Sequence, residues 1–485
     1  RPHRNPIGVK NRRNVVLSQM SKYQYLEKNL VDSLRLEPLN LNYTPESHRE
    51  GLATYFREFL RSHMKKWIND ENNRKPDGSK YNLNTDGLKI YTTINYTMQQ
   101  MAELAVEQHM PRLQKEFFEQ NKTLDDSIAP FRELTSGAVD TLLRISMRRS
   151  ERWRKMKYDL KKDNEEIENS FFEPVDMTIF SWGGDIDTIM TPLDSMKYYK
   201  SFFRPGMMSM DPTNGHIKAW VGGMNYRHFQ YDMVKKGKRQ IGSTFKPFVY
   251  AAAIDQLKLS PCDTFPDSQF CIEKNKFGNI EQWCPKNSGD KYGRTRTLKN
   301  ALANSVNTVT ARLMDRIGPQ TVVKLAKDLG IEQRILPVPS IALGTPDLSV
   351  YEMVAAYSTF ANKGVYTQPV FVEKIEDKNG TTLFEHQPIT KDVLSEEAAY
   401  VTVNLLEGVT MAGSGTRLRT TGADEYNRAY QNIVTGYPYE FTNPIAGKTG
   451  TTQNQSDGWF IGMVPNLVTG VWVGAEDRAI HFEDI

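Results

Sequence analysis

A serine and a lysine three residues apart, Ser243 and Lys246, could perform nucleophilic chemistry together. A step of three places both side chains on one face of a helix, roughly 5–6 Å apart at Cβ. A serine hydroxyl is a weak nucleophile until a base takes its proton, and a lysine can do so when burial and a second cation lower its pKa. The spacing would suit an activated serine. Taken alone, however, it is more typical of a capping serine beside a surface lysine.

The neighbouring residues predict where the helix of this pair begins. Gly242 permits a tight turn before Ser243, and Pro247 is tolerated only near a helix start because it has no N–H group to donate. The helix should therefore begin close to Ser243. Residues 248–254 are almost all apolar, which is typical of a buried helix.

Ser305 and Asn307 form a second motif, in a segment of poor helix formers. Residues two apart in a continuous helix point to different sides, so they can share a site only if the helix breaks here. A break between residues 298–303 and 311–316 would aim both polar groups into one cleft. A polar turn between two helices is an equally open alternative.

Lys448, Thr449, Gly450 and Thr451 form a third motif. The threonines favour a strand, and Gly450 lets another backbone or a ligand approach closely. Lys448 would supply a fixed cation, and the hydroxyl groups would donate hydrogen bonds to a carboxylate. An edge strand protected by a lysine is the alternative for this motif alone.

The elements around the motifs predict an α/β fold. Residues 207–210 with 216–221, and 458–464 with 467–473, read as two antiparallel strand pairs. Helices are predicted between them at 246–257, 297–303, 308–317, 320–329 and 396–411. Strands at both ends of a helical region favour helices that sandwich an antiparallel sheet over a parallel doubly wound sheet.

The first two hundred residues are mainly helical in pattern. The predicted elements are helices at 11–37 and 52–68, a strand at 88–94, a helix at 98–110 capped by Asn95, and a charged helical insert at 111–170. The glycines and prolines of residues 171–210 predict irregular structure.

The composition of the 485 residues is that of a globular protein, with 39% hydrophobic and 25% charged residues. The 62 basic and 58 acidic residues leave a net charge of +4, too small to indicate a nucleic-acid partner. No apolar stretch reaches the roughly eighteen residues that cross a bilayer. Scattered histidines and the lack of a C-x-x-C pair leave no predicted metal site, and no cofactor is expected.

The three cysteines lie close together, at positions 262, 271 and 284. Cys271 and Cys284 flank a turn-like centre at residues 276–279, so a hairpin disulfide could form outside the cytosol and leave Cys262 free. Three free thiols are the equally open alternative.

The three motifs together resemble those of penicillin-binding proteins and class A β-lactamases, in the same order. Within that group the chain resembles the class A penicillin-binding proteins, which are bifunctional peptidoglycan synthases. Residues 215–223 resemble the first transpeptidase strand of the family, residues 239–247 its active-site signature and residues 87–94 the preceding linker. Residues 11–20 resemble the last glycosyltransferase motif, so the catalytic glutamates of that domain would precede residue 1 and polymerase activity would be absent from this fragment.

The resemblance implies a penicillin-binding transpeptidase fold, an antiparallel sheet sandwiched by helices, with an N-terminal helical remnant and an α+β linker region. The implied domains are residues 1–75, the end of the glycosyltransferase domain with connecting helices; residues 76–205, a linker domain with the charged insert; and residues 206–485, the transpeptidase domain.

The resemblance also implies catalytic and substrate-binding roles. Ser243 would attack the D-Ala-D-Ala peptide bond, Lys246 would be the general base, and Ser305 would relay a proton to the leaving D-alanine. The N–H groups of Ser243 and Thr451 would form the oxyanion hole. The implied substrate-binding residues are Asn307, Lys448, Thr449, Gly450 and Thr451.

The implied partners are peptidoglycan stem peptides, lipid-linked precursors and β-lactams that acylate Ser243. The protein would lie at the periplasmic face of the bacterial cytoplasmic membrane, anchored by a segment outside this chain. Three rival functions remain open: a D,D-carboxypeptidase or β-lactam hydrolase, a non-catalytic β-lactam receptor, and a scaffold with an inactive site. A class A β-lactamase depends on a separate glutamate, which no motif here identifies.

Overall fold

The structure, a computed structural model, describes residues 5–41, 48–419 and 441–483. The chain divides into two compact units, Arg1–Gly51 and Leu52–Ile485. The α-helices are α1 (Pro6–Lys22), α2 (Lys28–Leu36), α3 (Thr54–Trp67), α4 (Tyr96–Asn121), α5 (Ser136–Arg149), α6 (Glu151–Arg154), α7 (Asn164–Asn169), α8 (Pro192–Lys200), α9 (Lys246–Leu257), α10 (Leu298–Ala303), α11 (Asn307–Ile317), α12 (Pro319–Asp328), α13 (Val350–Ala361) and α14 (Glu396–Ala412).

The strands are β1 (Lys89–Thr92), β2 (Val175–Ile179), β3 (Ile186–Met190), β4 (Arg204–Met210), β5 (Ile217–Val221), β6 (Arg239–Gln240), β7 (Thr264–Pro266), β8 (Thr295–Thr297), β9 (Asp347–Leu348), β10 (Val365–Thr367), β11 (Val372–Glu376), β12 (Thr382–Glu385), β13 (Thr390–Asp392), β14 (Ala446–Thr451), β15 (Asp457–Val464) and β16 (Leu467–Gly474). A five-stranded antiparallel sheet has the order β14-β15-β16-β4-β5. It confirms both predicted strand pairs, as β4 with β5 and β15 with β16.

Helices cover both faces of the five-stranded sheet. Successive side chains of a strand point to opposite faces. On β5, Trp220 packs into the core that contains α9 and α13, whereas Ala219 and Val221 pack with apolar residues of α4. The predicted sandwich of helices around an antiparallel sheet is therefore confirmed.

The smaller unit contains α1 and α2, which pack against each other. The guanidinium group of Arg13 donates hydrogen bonds to the backbone oxygens of Arg35 and Glu37, at 3.3 and 2.8 Å, and so binds the C-terminal end of α2. The single helix predicted over residues 11–37 is wrong. The chain turns between the two helices, where Gln24 adopts a left-handed φ of 62°. No glycine or proline at this point of the sequence predicts the turn.

The elements predicted before the transpeptidase-like region are mostly confirmed. Helix α3, strand β1 and the helices of the charged insert form, and Asn95 caps α4 by accepting a hydrogen bond from the N–H group of Met98 at 3.0 Å. The irregular structure predicted for residues 171–210 is wrong. Gly183 and Gly184 lie in the turn between β2 and β3, and Pro192 begins α8 after its cap Thr191, so these residues mark boundaries of regular elements.

Candidate active site

Ser243 and Lys246 lie where a 3-10 turn, Gly242–Phe245, leads into α9. Helix α9 begins at Lys246, and Pro247 occupies its first turn, which confirms the predicted helix start. Lys246 is completely buried, whereas Ser243 is half-buried and lines an open cleft. Among the described residues, none forms a hydrogen bond with the Ser243 hydroxyl group.

Ser305 lies in the predicted break, between α10 and α11, with a left-handed φ of 56°. The break brings Ser305 and Asn307 to the same lysine. The ammonium group of Lys246 donates to Ser305 Oγ at 3.1 Å, to Asn307 Oδ1 at 2.6 Å and to the backbone oxygen of Ser305. The first two motifs therefore form one site.

Lys448 lies on β14, and its side chain reaches the same serine hydroxyl. Its Nζ donates to Ser305 Oγ at 3.1 Å and to the backbone oxygen of Thr449 at 2.9 Å. Ser305 Oγ is thus contacted by Lys246 and Lys448 at equal distances. The third motif joins the other two at this hydroxyl group.

The two lysines are buried side by side, which changes their protonation. Burial, together with the charge of Lys448, holds the pKa of Lys246 well below its ordinary value. Burial lowers the pKa of Lys448 to about 7. The sequence predicted a cation at Lys448, and burial weakens the hold of this amine on its proton. A neutral lysine amine can accept a proton from a hydroxyl group.

Glycines allow β14 to lie directly against the turn that carries Ser243. A Cβ atom at Gly450 would lie 2.8 Å from the backbone oxygen of Ile241 and from Thr244 Cγ2. A Cβ atom at Gly242, where φ is 53°, would lie 2.8 Å from the backbone oxygen of Thr451. Residues 242–246 and 448–452 together are called the sheet wall below.

A cleft of about 500 Å³ opens beside Ser243. One side is the sheet wall, with Thr451 and Thr452. Asn307 and residues 283–286 line it as well. Residues 283–287, called the loop wall below, include Cys284, which forms a disulfide with Cys271. Of the two alternatives that the sequence left open, the structure has the hairpin disulfide, with Cys262 free and exposed.

Ser414 is a site neighbour that the motifs did not identify. Its Oγ forms a hydrogen bond with Thr449 Oγ1. The segment 413–416 is a loop up to the 3-10 turn that begins at Thr416. Its sequence gives no signal that it packs beside the third motif, because that contact spans 35 residues.

Two further observations concern metals and membranes. Within the ranges that the structure describes, no group of three His, Cys, Asp or Glu side chains is arranged to hold a metal ion. No helix in those ranges combines the length and the apolar character needed to span a bilayer.

Comparison with known proteins agrees with this geometry. Residues 205–476 match the family of the penicillin-binding protein transpeptidase domain, and residues 126–203 match the penicillin-binding protein middle domain. Penicillin-binding protein 1A of Aquifex aeolicus is 29% identical over 98% of this chain, and penicillin-binding protein 2D of Bacillus subtilis is 26% identical over 99%. The chain spans 60% and 53% of the lengths of these two relatives.

A solved structure supports the fold. The crystal structure of penicillin-binding protein 1A from Haemophilus influenzae superposes with a TM-score of 0.64, covers 98% of this chain and 73% of its own, and is 22% identical. It confirms the fold predicted from the resemblance. Because the transpeptidase match covers more than half of the chain, the chain belongs to the penicillin-binding protein transpeptidase family and, with its relatives, to the class A penicillin-binding proteins.

Proposed function

We propose that the chain is a serine D,D-transpeptidase that cross-links peptidoglycan stem peptides through an acyl-enzyme on Ser243. One observation carries the proposal: Lys246 and Lys448, both buried and both with lowered pKa, contact the Ser305 hydroxyl group beside a cleft that exposes Ser243. Such an arrangement supplies a base, a proton relay and a nucleophile.

In the acylation step, neutral Lys246 takes the proton of Ser243 Oγ, and the oxygen attacks the carbonyl carbon between the two D-alanines. The C–N bond then breaks, and an ester to Ser243 forms. The departing D-alanine amine receives a proton through Ser305, whose hydroxyl group lies within 3.1 Å of both lysines. The N–H groups of Ser243 and Thr451 stabilise the negative charge on the carbonyl oxygen.

The remaining motif residues hold the substrate. Thr449 and Thr451 donate hydrogen bonds to the terminal carboxylate, and Lys448 contributes positive charge in its protonated form. Asn307 binds a substrate amide, and Gly450 leaves room for the substrate next to β14. An amine of a neighbouring stem peptide then attacks the ester carbon, and the C–O bond to Ser243 breaks. The amine gives up a proton, which returns to Ser243 Oγ through Lys246, so the serine is released and the cross-link forms.

The full-length protein, in this proposal, also polymerises glycan strands from lipid-linked precursors at the periplasmic face of the cytoplasmic membrane, with an anchor outside this chain. The longer relatives and the resemblance of residues 11–20 to a glycosyltransferase motif support this. The disulfide between Cys271 and Cys284 supports an oxidising compartment. The division into residues 1–75, 76–205 and 206–485 is part of the same proposal.

Intact-protein mass spectrometry after incubation with a penicillin tests the proposed activity. We expect a stable adduct of one β-lactam, mapped to Ser243 by peptide analysis and lost in Ser243→Ala. β-Lactams are bound in this proposal because they mimic the D-Ala-D-Ala peptide.

The rival functions give different outcomes in that experiment. Rapid turnover of the penicillin without an accumulating adduct would indicate a hydrolase. An adduct without cross-linking of a donor stem peptide to an acceptor amine would indicate a β-lactam receptor. No adduct together with intact penicillin would contradict the proposed activity of this chain.

A further inference from the structure

The helix that carries Asn307 is capped by a residue of the loop wall. The first N–H groups of a helix have no partner within it, and a side chain just before the helix usually accepts from them. Helix α11 is preceded by Val306, whose side chain cannot accept a hydrogen bond. Asn287 Oδ1 instead accepts from the N–H groups of Asn307 and Thr308, at 3.0 and 3.2 Å. Asn287, twenty positions upstream of Asn307, therefore caps the N-terminus of α11.

Asn287 is held in turn by a buried carboxylate. Its amide donates to Asp267 Oδ1 at 2.7 Å, and the hydroxyl group of Thr308 donates to the same oxygen at 2.8 Å. Asp267 is fully buried, and its other oxygen accepts from Arg296 Nε and from the N–H group of Gly293. Burial would raise the pKa of Asp267, but these hydrogen bonds outweigh it and keep the pKa below its ordinary value.

The same loop fixes the orientation of the Asn307 side chain. Its Nδ2 donates to the backbone oxygen of Lys286 at 2.6 Å, so its Oδ1 faces Lys246 Nζ at 2.6 Å. In the flipped amide, Oδ1 of Asn307 would face the backbone oxygen of Lys286. Two acceptors cannot form a hydrogen bond, so the flipped orientation is excluded. One of the three hydrogen bonds that hold the Lys246 amine, the one to Asn307, therefore depends on contacts made by residues 286 and 287.

We infer that Asn287, anchored by Asp267, is a positioning residue for acylation, which acts by holding Asn307 against Lys246. The inference rests on the proposed transpeptidase function, since it concerns the same site. Neither Asn287 nor Asp267 takes part in bond making. A displacement of about 1 Å in a reacting group can cost on the order of a hundredfold in rate, so their loss should be visible in the chemical step.

Acylation kinetics of Asn287→Ala with a chromogenic cephalosporin test this inference. We expect the acylation rate constant at saturating β-lactam to fall on the order of ten- to a hundredfold, with a smaller change in the half-saturating concentration. The matched control is Asn279→Ala. Asn279 lies in the same region and makes three hydrogen bonds of similar length, to Glu273, Glu281 and Phe277. None of these hydrogen bonds reaches Asn307, so the acylation rate constant of Asn279→Ala should stay close to that of wild type.

A reciprocal pair separates positioning from folding. In Asn287→Asp, the new carboxylate would face Asp267 across the 2.7 Å contact and repel it, so we expect slow acylation. Adding Asp267→Asn returns a donor to that contact, and we expect the double variant to recover part of the lost rate. Thermal unfolding of each variant is measured alongside.

The outcomes are distinct for the two proposals. An unchanged rate constant in Asn287→Ala, an equal loss in Asn279→Ala, no recovery in the double variant, or a rate that falls only in proportion to unfolded protein would each overturn the positioning role. Wild-type protein that forms no adduct at Ser243 would instead contradict the proposed function itself.

Discussion

The two sides of the cleft are held in place by different means. The sheet wall is fixed by the backbone: β14 pairs with β15 from Ala446 to Thr451, and its glycines let it lie against the turn of Ser243. The loop wall has no neighbouring strand in that sheet. A single backbone bridge between Trp283 and Ile272 holds its first residue, and the rest depends on the side chains of Asn287 and Asp267 and on the disulfide.

This difference determines which substitutions each wall tolerates. A wall built by close backbone approach cannot accept an added Cβ atom at the point of approach, but it tolerates changes in many side chains that point away from it. A wall built by side-chain hydrogen bonds accepts small changes of shape, but it fails when a particular donor or acceptor is lost. We therefore expect large effects from added atoms on the sheet wall and moderate effects from removed atoms on the loop wall.

The largest effect is expected from Gly450→Ala on the sheet wall. The added methyl group would lie 2.8 Å from the backbone oxygen of Ile241, so β14 or the turn of Ser243 must move. We expect the second-order rate constant of acylation by a penicillin to fall at least about a hundredfold. Gly458→Ala on β15 is the control, because its nearest contact would be an ordinary 3.6 Å. Similar rates for the two variants would contradict the close-approach explanation.

A moderate effect is expected from opening the disulfide behind the loop wall. Replacing Cys271 and Cys284 together by serine removes a cross-link over 13 residues. In the chain-entropy model this cross-link contributes roughly 3 kcal/mol to the free energy of unfolding. We expect acylation to slow by about tenfold and proteolysis within residues 271–284 to accelerate, as followed by limited digestion. Cys262 is free and exposed, so Cys262→Ser should change neither the acylation rate nor the rate of proteolysis. Wild-type rates in the double variant would show that the loop wall holds its shape without the cross-link.

The smallest effect is expected from Ser414→Ala, which removes one hydrogen bond to Thr449. A hydrogen bond of this kind is worth about 1 kcal/mol, so the second-order rate constant of acylation should fall by roughly fivefold. Stopped-flow measurement of the saturation curve should show the change mainly in the half-saturating concentration, since Thr449 is proposed to bind the carboxylate. A loss of more than a hundredfold would indicate that Ser414 takes part in the chemistry.

The motif residues were predictable because each motif is local. The step from Ser243 to Lys246, the position of Pro247 and the poor helix formers around Ser305 all act within one or two turns of chain, and the structure confirms the helix start and the break. Asn287 was not predicted. Its partners Asn307 and Thr308 lie twenty and twenty-one residues further along the chain, and no spacing rule connects an asparagine in a loop to the start of such a helix.

The sequence alone determined which chemical groups this protein carries and which of them share a helix face or a strand, because these properties follow from residue type and spacing. It also determined the family, through three motifs in a fixed order. Only the tertiary structure decided that Lys448 reaches a serine 143 residues earlier in the chain, and that burial lowers the pKa of this lysine to about 7. The reason is physical: the pKa of a lysine depends on the solvent and charge around its amine, and these are set by the packing of distant segments.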